Sequence, residues 1–185
     1  MKKLLSAAVL AAALTGGVST VSAQTVKVGG QAMYPTRDIV DNAVNSADHT
    51  TLVAAVKAAS LVETLKGMGP FTVFAPVNDA FENLPDGTVA TLLKPENKTA
   101  LAKVLTYHVV AGRLDGQAIE KMIKKGNGRA MLKTASGGTL IASMNGSRNI
   151  VITDESGGTA RISTYDVYQS NGVIQVIDKV LLPKM

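Results

Sequence analysis

Cysteine is absent from the 185-residue sequence, and histidine occurs only twice, as His49 and His108. Without cysteine the chain forms no disulfide, binds no zinc through thiolates and has no thiolate nucleophile. Packing must therefore stabilise the fold. Neither histidine lies in a pattern with the spacing of a metal site. We expect no metal and no cofactor.

A membrane-spanning segment is the second feature that the sequence lacks, since no run approaches the roughly 18 apolar residues that one needs. The N-terminus, MKKLLSAAVLAAALTGGVSTVSA, has two lysines, an apolar stretch from Leu4 to Leu14, and small residues before Ala23. This pattern is typical of a secretory signal peptide over residues 1–23. We expect a secreted protein, periplasmic or extracellular, with a flexible lead over 24–35 and a single domain over 36–185.

Basic residues are in small excess over acidic ones. The chain has 19 basic and 14 acidic residues. Because Lys2 and Lys3 lie in the predicted signal peptide, the remainder carries 17 − 14, or +3. The only basic cluster, residues 121–125, fits a solvated helix end. The sequence therefore predicts no nucleic-acid partner.

Enzyme motifs are also missing. We find no GxSxG, no SxxK and no Gly-rich phosphate loop. The Gly-rich segments ASGG (135–138) and ESGG (155–158) lie between β-prone runs, where hairpin turns belong. We expect His49 to be an exposed loop residue and His108 to be buried and bonded to backbone rather than a catalytic base. These features favour a protein that is not an enzyme.

The most informative segment is PFTVFAPVNDAF, residues 70–81. Its apolar run predicts a strand buried on both faces, and Pro76, which has no N–H for a ladder, is expected to end that strand. Asn78 is expected to cap the next helix, Asp79 to favour its dipole and Phe81 to anchor it to the core. The segment is thus interpreted as a joint between a strand and a helix.

The remaining pattern places helices early and strands late. Thr36 and Thr50 are expected to cap two helices, and further short helices follow as far as His108. One more helical segment contains Ile119. The later runs MLKT, TLIASM, NIVITD and ARISTY indicate hairpins, and NGVIQVIDKVLLP is dense enough to be buried on both faces. This order predicts an α+β fold with antiparallel sheets.

Three segments in this order, PFTVFAPVNDAF, TYHVVAG and NGVIQVIDKVLLP, resemble the conserved segments of the fasciclin (FAS1) domain family. The resemblance extends from Thr36 to Pro183. It implies a wedge of two antiparallel β-sheets with several helices packed on one side. It also implies a role in cell adhesion or extracellular matrix interaction, through a protein or glycan partner, with no shared enzymatic activity.

The resemblance assigns roles by position. Tyr107 and His108 match the family's Tyr-His pair, which in some members lies in an integrin-recognition region, so both are candidates for partner contact. Two residues depart from the pattern: Val77 replaces a common Thr, and Gln175 replaces a common His and does not titrate near neutral pH. The positions that match the structural motifs are Phe74, Pro76, Asn78, Asp79, Phe81, Asn171, Gly172, Ile174 and Asp178.

Two alternatives stay open on the sequence. Tyr107 and His108 either contact a partner or support the fold beneath the contact surface. The protein is either an adhesion module or a carrier that holds a small apolar ligand, such as a lipid or pigment, between helices and sheet. Sequence does not determine the oligomeric state, and a monomer is the expectation.

Overall fold

The computed structural model describes residues 25–184, so the predicted signal peptide lies outside the described residues. The α-helices of this range are α1 (Ile39–Ala43), α2 (Thr50–Ala58), α3 (Val62–Lys66), α4 (Asn78–Glu82), α5 (Thr88–Leu92), α6 (Lys98–Tyr107) and α7 (Gly116–Lys125). The strands are β1 (Val26–Val28), β2 (Gln31–Met33), β3 (Phe71–Pro76), β4 (Val109–Ala111), β5 (Arg129–Lys133), β6 (Thr139–Asn145), β7 (Asn149–Thr153), β8 (Thr159–Gln169) and β9 (Gly172–Ile177).

The strands form a β1-β2 hairpin and a seven-stranded sheet of order β4-β3-β9-β8-β7-β6-β5. The α+β class is confirmed, and β5 to β8 are the predicted hairpins. The expectation of purely antiparallel sheets is wrong for one pair, because β3 and β9 run parallel from Phe71 opposite Gly172 to Pro76 opposite Ile177. A parallel pair needs a long crossover connection, which the intervening helices and hairpins provide.

Strands β3 and β9 lie at the centre and are buried on both faces, as their continuous apolar sequences predict. On one face, Val73 and Val176 pack against helices α1 to α4 and α6. On the other face, Phe74 and Ile177 pack against the inner side of β5 to β8. The sheet therefore curls over a second core, and a bridge between Val110 and Thr134 joins β4 to the end of β5.

Helix α7 is the exception to the expectation that helices pack on one side. Its buried residues Ile119 and Ile123 are four positions apart and belong to the second core, beneath β5 and β6. Four-residue spacing places both side chains on one face of a helix. The sequence predicted a helical segment here but not the side of the sheet that it covers.

From residue 25 onwards, the lead that we expected to be flexible over 24–35 contains a folded hairpin. Strands β1 and β2 pair with Val26 opposite Met33 and Val28 opposite Gln31. Val28 and Met33 are buried in the first core. The prediction failed because polar residues and glycines dominate this segment, and its two buried side chains form no recognisable apolar pattern.

Two helix starts also differ from the sequence prediction. Helix α1 is capped by Asp38, whose Oδ1 accepts the N–H of Asp41 at 2.8 Å, and not by Thr36. Helix α2 begins at Thr50 itself, and its preceding residue offers no side-chain cap. The cap for α2 comes from a distant part of the chain.

That cap is Asn78. Its Oδ1 accepts the N–H of Thr51 at 3.0 Å, and its Nδ2 donates to the carbonyl of Ala47 at 2.8 Å. The expectation that Asn78 caps its own helix is wrong, because the N-cap of α4 is Val77, which has no side-chain acceptor. The segment 70–81 nevertheless is the predicted strand-to-helix joint, and its asparagine ties α4 to the start of α2.

Candidate functional site

Tyr107 is the last residue of α6 and is completely buried. Its hydroxyl donates to the carbonyl of Thr139 at 3.0 Å and accepts the N–H of Glu155 at 2.9 Å. Burial raises the pKa of the Tyr107 hydroxyl. A Cβ on Gly138 would lie 2.6 Å from the tyrosine ring, so the turn before β6 requires glycine there. Tyr107 therefore joins α6 to two hairpin turns.

His108 is 3% exposed and holds the C-terminal segment. Because a carbonyl can only accept, Nδ1 carries the proton and donates to Val104 O at 2.8 Å. Nε2 then accepts the N–H of Leu181 at 2.9 Å. Burial lowers the pKa of His108 to about 4, so the ring is neutral at pH 7.

Asp154 completes the attachment of the C-terminal segment. Its Oδ1 accepts the N–H groups of Ser156 and Gly158 at 2.9 and 2.7 Å. Its Oδ2 accepts the N–H of Leu182 at 2.9 Å. Sequence reasoning missed Asp154, although an aspartate that opens an ESGG turn is a common acceptor for turn amides.

We call the group Tyr107, His108, Asp154, Glu155 and Leu181 the Tyr-His corner. The tyrosine hydroxyl and both imidazole nitrogens bond to backbone groups inside the fold. Their burial and bonding favour the supporting role that the sequence allowed. Direct contact of a partner with Tyr107 or His108 stays a prediction.

Asn171 forms a second junction, at the other end of β9. Its Oδ1 accepts the N–H of Ile39 at 3.0 Å, and its Nδ2 donates to the carbonyls of Leu65 and Gly67 at 2.8 and 3.0 Å. One buried side chain therefore binds the start of α1 and the end of α3. The motif marked this residue, but its partners lie more than one hundred positions away in the chain.

Gly172 follows Asn171 and lies where β9 meets the start of β3. A Cβ at this position would overlap the carbonyl oxygen of Phe71 and lie 2.9 Å from Cδ1 of Ile39. Real Cβ atoms do not approach backbone that closely. The glycine is required by close packing of β3, β9 and α1.

Gln175, the departure from the family pattern, is completely buried. Its Nε2 donates to Asp166 Oδ1 at 2.8 Å and to Leu114 O at 3.2 Å, while its Oε1 accepts the N–H of Asp166 at 3.1 Å. The same Asp166 carboxylate accepts the N–H of Gly116, the first residue of α7. An uncharged amide therefore connects β9, the irregular part of β8 and α7.

The other motif positions divide into core and surface. Asp178 accepts the N–H of Arg161 at 2.7 Å, beyond the end of β9. Asp79 is exposed in the first turn of α4, where a negative charge favours the helix dipole. The buried positions are Phe74, Pro76, Phe81 and Ile174.

His49 is not the exposed loop residue that we expected, since it is 3% exposed. Its Nδ1 and the hydroxyl of Ser46 are 2.9 Å apart, and its Nε2 has no hydrogen-bond partner. Burial lowers the pKa of His49. The Ser46 spacing of three residues was the one local signal, and it does not reveal that the ring enters the core.

Two further observations concern residues 25–184. Within this range no three His, Asp or Glu side chains form a group that could hold a metal ion. No helix of the described chain has the length and apolar character to cross a membrane. Asp38 and Asp41 flank Lys66, with Asp41 Oδ1 2.6 Å from its Nζ.

Comparisons with known proteins agree with this architecture. Protein sll1483 of Synechocystis is 45% identical over 147 residues, which cover 80% of this chain and 74% of that protein. Transforming growth factor-beta-induced protein ig-h3 of Sus scrofa is 37% identical over 132 residues, which cover 71% of this chain and 17% of that protein. Neither name describes an enzyme.

A solved FAS1 domain pair from the insect cell adhesion molecule fasciclin I has a similar backbone. The TM-score is 0.57 at 20% identity, over 71% of this chain and 43% of that chain. The sequence also matches the fasciclin domain family over residues 47–183. Because this match covers well over half of the sequence, the chain belongs to the fasciclin (FAS1) domain family.

Proposed function

We propose that the protein is a secreted, non-enzymatic module that binds a protein or glycan partner at a cell surface or in an extracellular matrix. Family membership supports the adhesion class, since the related fasciclin I is a cell adhesion molecule. The observation that carries the proposal is the bonding of the Tyr-His corner. Its tyrosine and histidine are bonded to backbone, which suits a rigid support better than proton transfer.

The proposed contact surface lies directly above this support. Glu155 Oε2 accepts the N–H of Lys184 at 3.3 Å, and the Ser156 hydroxyl donates to the carbonyl of Leu182 at 3.4 Å. Leu182 is 36% exposed, although its neighbour Leu181 is buried. We call Glu155, Ser156, Leu182 and Lys184 the corner surface. An apolar anchor within a polar rim is the usual composition of a partner-binding patch.

Binding of the full secreted chain to intact cells of the producing organism, and to polysaccharide isolated from their envelope, tests the proposal. We expect saturable binding that Leu182→Asp weakens by about tenfold or more, since an apolar anchor is replaced by a charge. The melting temperature of Leu182→Asp is expected to stay close to that of the wild type, because the altered side chain is exposed.

Met68→Asp is the matched control. Met68 is 97% exposed and precedes β3, whereas Leu182 follows β9. Because β3 and β9 run parallel, the two residues lie at opposite ends of the pair. We expect Met68→Asp to bind like the wild type. Absence of saturable binding to both surfaces, or equal binding by Leu182→Asp, contradicts the proposal.

A His108→Gln variant separates support from contact. If His108 supports the corner surface, binding and melting temperature fall together. Loss of binding at an unchanged melting temperature would instead identify His108 as a contact residue.

A further inference from the structure

A cavity of about 140 Å³ lies between the helices and the first face of the central strands. Apolar side chains of α1, α2, α3, β3 and β9 form most of its wall, among them Ile39, Leu52, Val56, Val73 and Ile174. Exposed residues of α2 and α3, Lys57 and Thr64, also border it. The cavity therefore reaches the protein surface, and its position is the one that a carrier requires.

His49 contributes an unsatisfied polar atom to this cavity. The ring lines the wall, is 3% exposed, and has one nitrogen bonded to Ser46. Nε2 has no hydrogen-bond partner. A buried polar atom without a partner is costly, and few are found in folded proteins.

The proton of the neutral ring is assigned to Nε2 by its surroundings. If Nδ1 carried the proton and donated to Ser46, the hydroxyl hydrogen of Ser46 would have no acceptor among the described residues, and Nε2 would be unpaired as well. The backbone of Ala75 favours a proton on the ring but forms no hydrogen bond with Nε2. With the proton on Nε2, that N–H is the one group of the pair left unpaired. The Ser46 hydroxyl then donates to Nδ1, and Nε2–H is left as a free donor.

Water is a poor partner for this donor. An ordered buried water needs two to four polar partners, and apolar cavities of about 150 Å³ stay dry and admit benzene-sized molecules. The wall around His49 is predominantly apolar. A ligand that fills the apolar volume and presents one acceptor to Nε2–H would both contact the apolar wall and pair the unsatisfied donor.

We propose that this cavity binds one small, predominantly apolar molecule that carries a hydrogen-bond acceptor, and that His49 Nε2–H donates to that acceptor. The acceptor distinguishes the proposed ligand from a plain hydrocarbon. The size of the cavity indicates a molecule with about one ring, or the end of a longer chain that leaves through the opening. This site is separate from the corner surface, so it does not depend on the proposed adhesion function.

Acetophenone and cumene are suitable probes because they have similar shapes and differ in a carbonyl oxygen. We would titrate each into the full, ¹⁵N-labelled secreted chain and follow the amide resonances. We expect saturable shifts at residues that line the cavity with both probes. Because water binds the acetophenone carbonyl before transfer, the hydrogen bond is measured by the ratio of acetophenone affinity to cumene affinity, which we expect to be about tenfold higher in the wild type than in His49→Phe. The ¹⁵N resonance of His49 Nε2 is expected to shift with acetophenone and not with cumene.

Two variants test the assignment. His49→Phe keeps a ring of similar size without the donor, so it is expected to lose about tenfold in affinity for acetophenone and to keep its affinity for cumene. Val56→Phe fills the cavity and is expected to bind neither, while Leu182→Asp is a control that binds both like the wild type. The absence of saturable shifts in the wild type, or an equal ratio of acetophenone to cumene affinity in the wild type and in His49→Phe, overturns the proposal. An unchanged Nε2 resonance does so too, even if the His49 variant fails to fold.

Discussion

Acid is expected to destabilise this protein through His108. In the folded state Nδ1–H donates to Val104 and Nε2 accepts from the amide of Leu181. Protonation places a second hydrogen on Nε2, where the Leu181 N–H already points, so the bond to the C-terminal segment is lost. It also places a charge in a site that excludes water. Both effects oppose protonation of the folded state.

The magnitude follows from the pKa difference. The pKa of His108 is about 4 in the folded chain, against 6.5 for an unperturbed histidine. Below pH 6.5 the unfolded chain binds a proton that the folded chain does not bind until about pH 4. Stability is therefore complete above pH 6.5 and decreases as the pH falls towards 4. At about 1.4 kcal/mol for each pH unit, the loss is about 3 kcal/mol.

The assay is urea unfolding between pH 7.5 and 4, followed by circular dichroism because the chain has no tryptophan. His108→Gln is the reference, since it retains His49, whose pKa is also lowered by burial, and every carboxylate. We expect the free energy of unfolding of the wild type to decrease by about 3 kcal/mol more than that of the variant. Parallel pH profiles, or a His108 NMR titration with its midpoint near 6.5, would show that burial of His108 does not oppose its protonation.

Three substitutions test the junctions, the first two through the free energy of unfolding and the third through the amide NMR spectrum. Asn171→Ala leaves one backbone amide and two backbone carbonyls unpaired, so we expect it to lower the free energy of unfolding by about 3 kcal/mol. The exposed control Asn149→Ala is expected to lower it by about 0.5 kcal/mol or less, and equal losses in the two variants would contradict this role of Asn171. Asn78→Ala removes the cap of α2 and is expected to cost about 1 kcal/mol, and an unchanged value would show that the cap contributes nothing. Gly172→Ala drives a methyl group into the carbonyl of Phe71, so no dispersed amide spectrum is expected; a folded variant would falsify the packing argument.

The strands were predictable because the pattern of apolar and polar residues along a strand indicates which of its faces are buried. Central strands such as β3 and β9 are buried on both faces and have continuous apolar sequences, whereas β5 and β7 alternate buried and less buried residues. Pairing direction was not predictable in the same way. The parallel alignment of β3 and β9 depends on how the intervening chain crosses the sheet, which no local pattern records.

Polar residues were the least predictable part of the candidate site. Asn78 has the local context of a helix cap, yet it caps a helix that precedes it by more than twenty residues. His49 lies in a polar segment, yet its ring is buried at a cavity wall. A hydrogen bond can join residues at any separation in the chain, so residue type indicates what a side chain can donate or accept but not its partner.

From the sequence we could infer the α+β class, the places of the later strands, the turn segments and the family resemblance, because these depend on composition and order along the chain. Only the folded structure revealed which distant backbone groups the Tyr-His pair binds, that Asn171 and Gln175 join distant elements, and that His49 faces an apolar cavity. These features arise where segments distant in the sequence pack together, and the free energy of a buried polar group is determined by the neighbours it meets there.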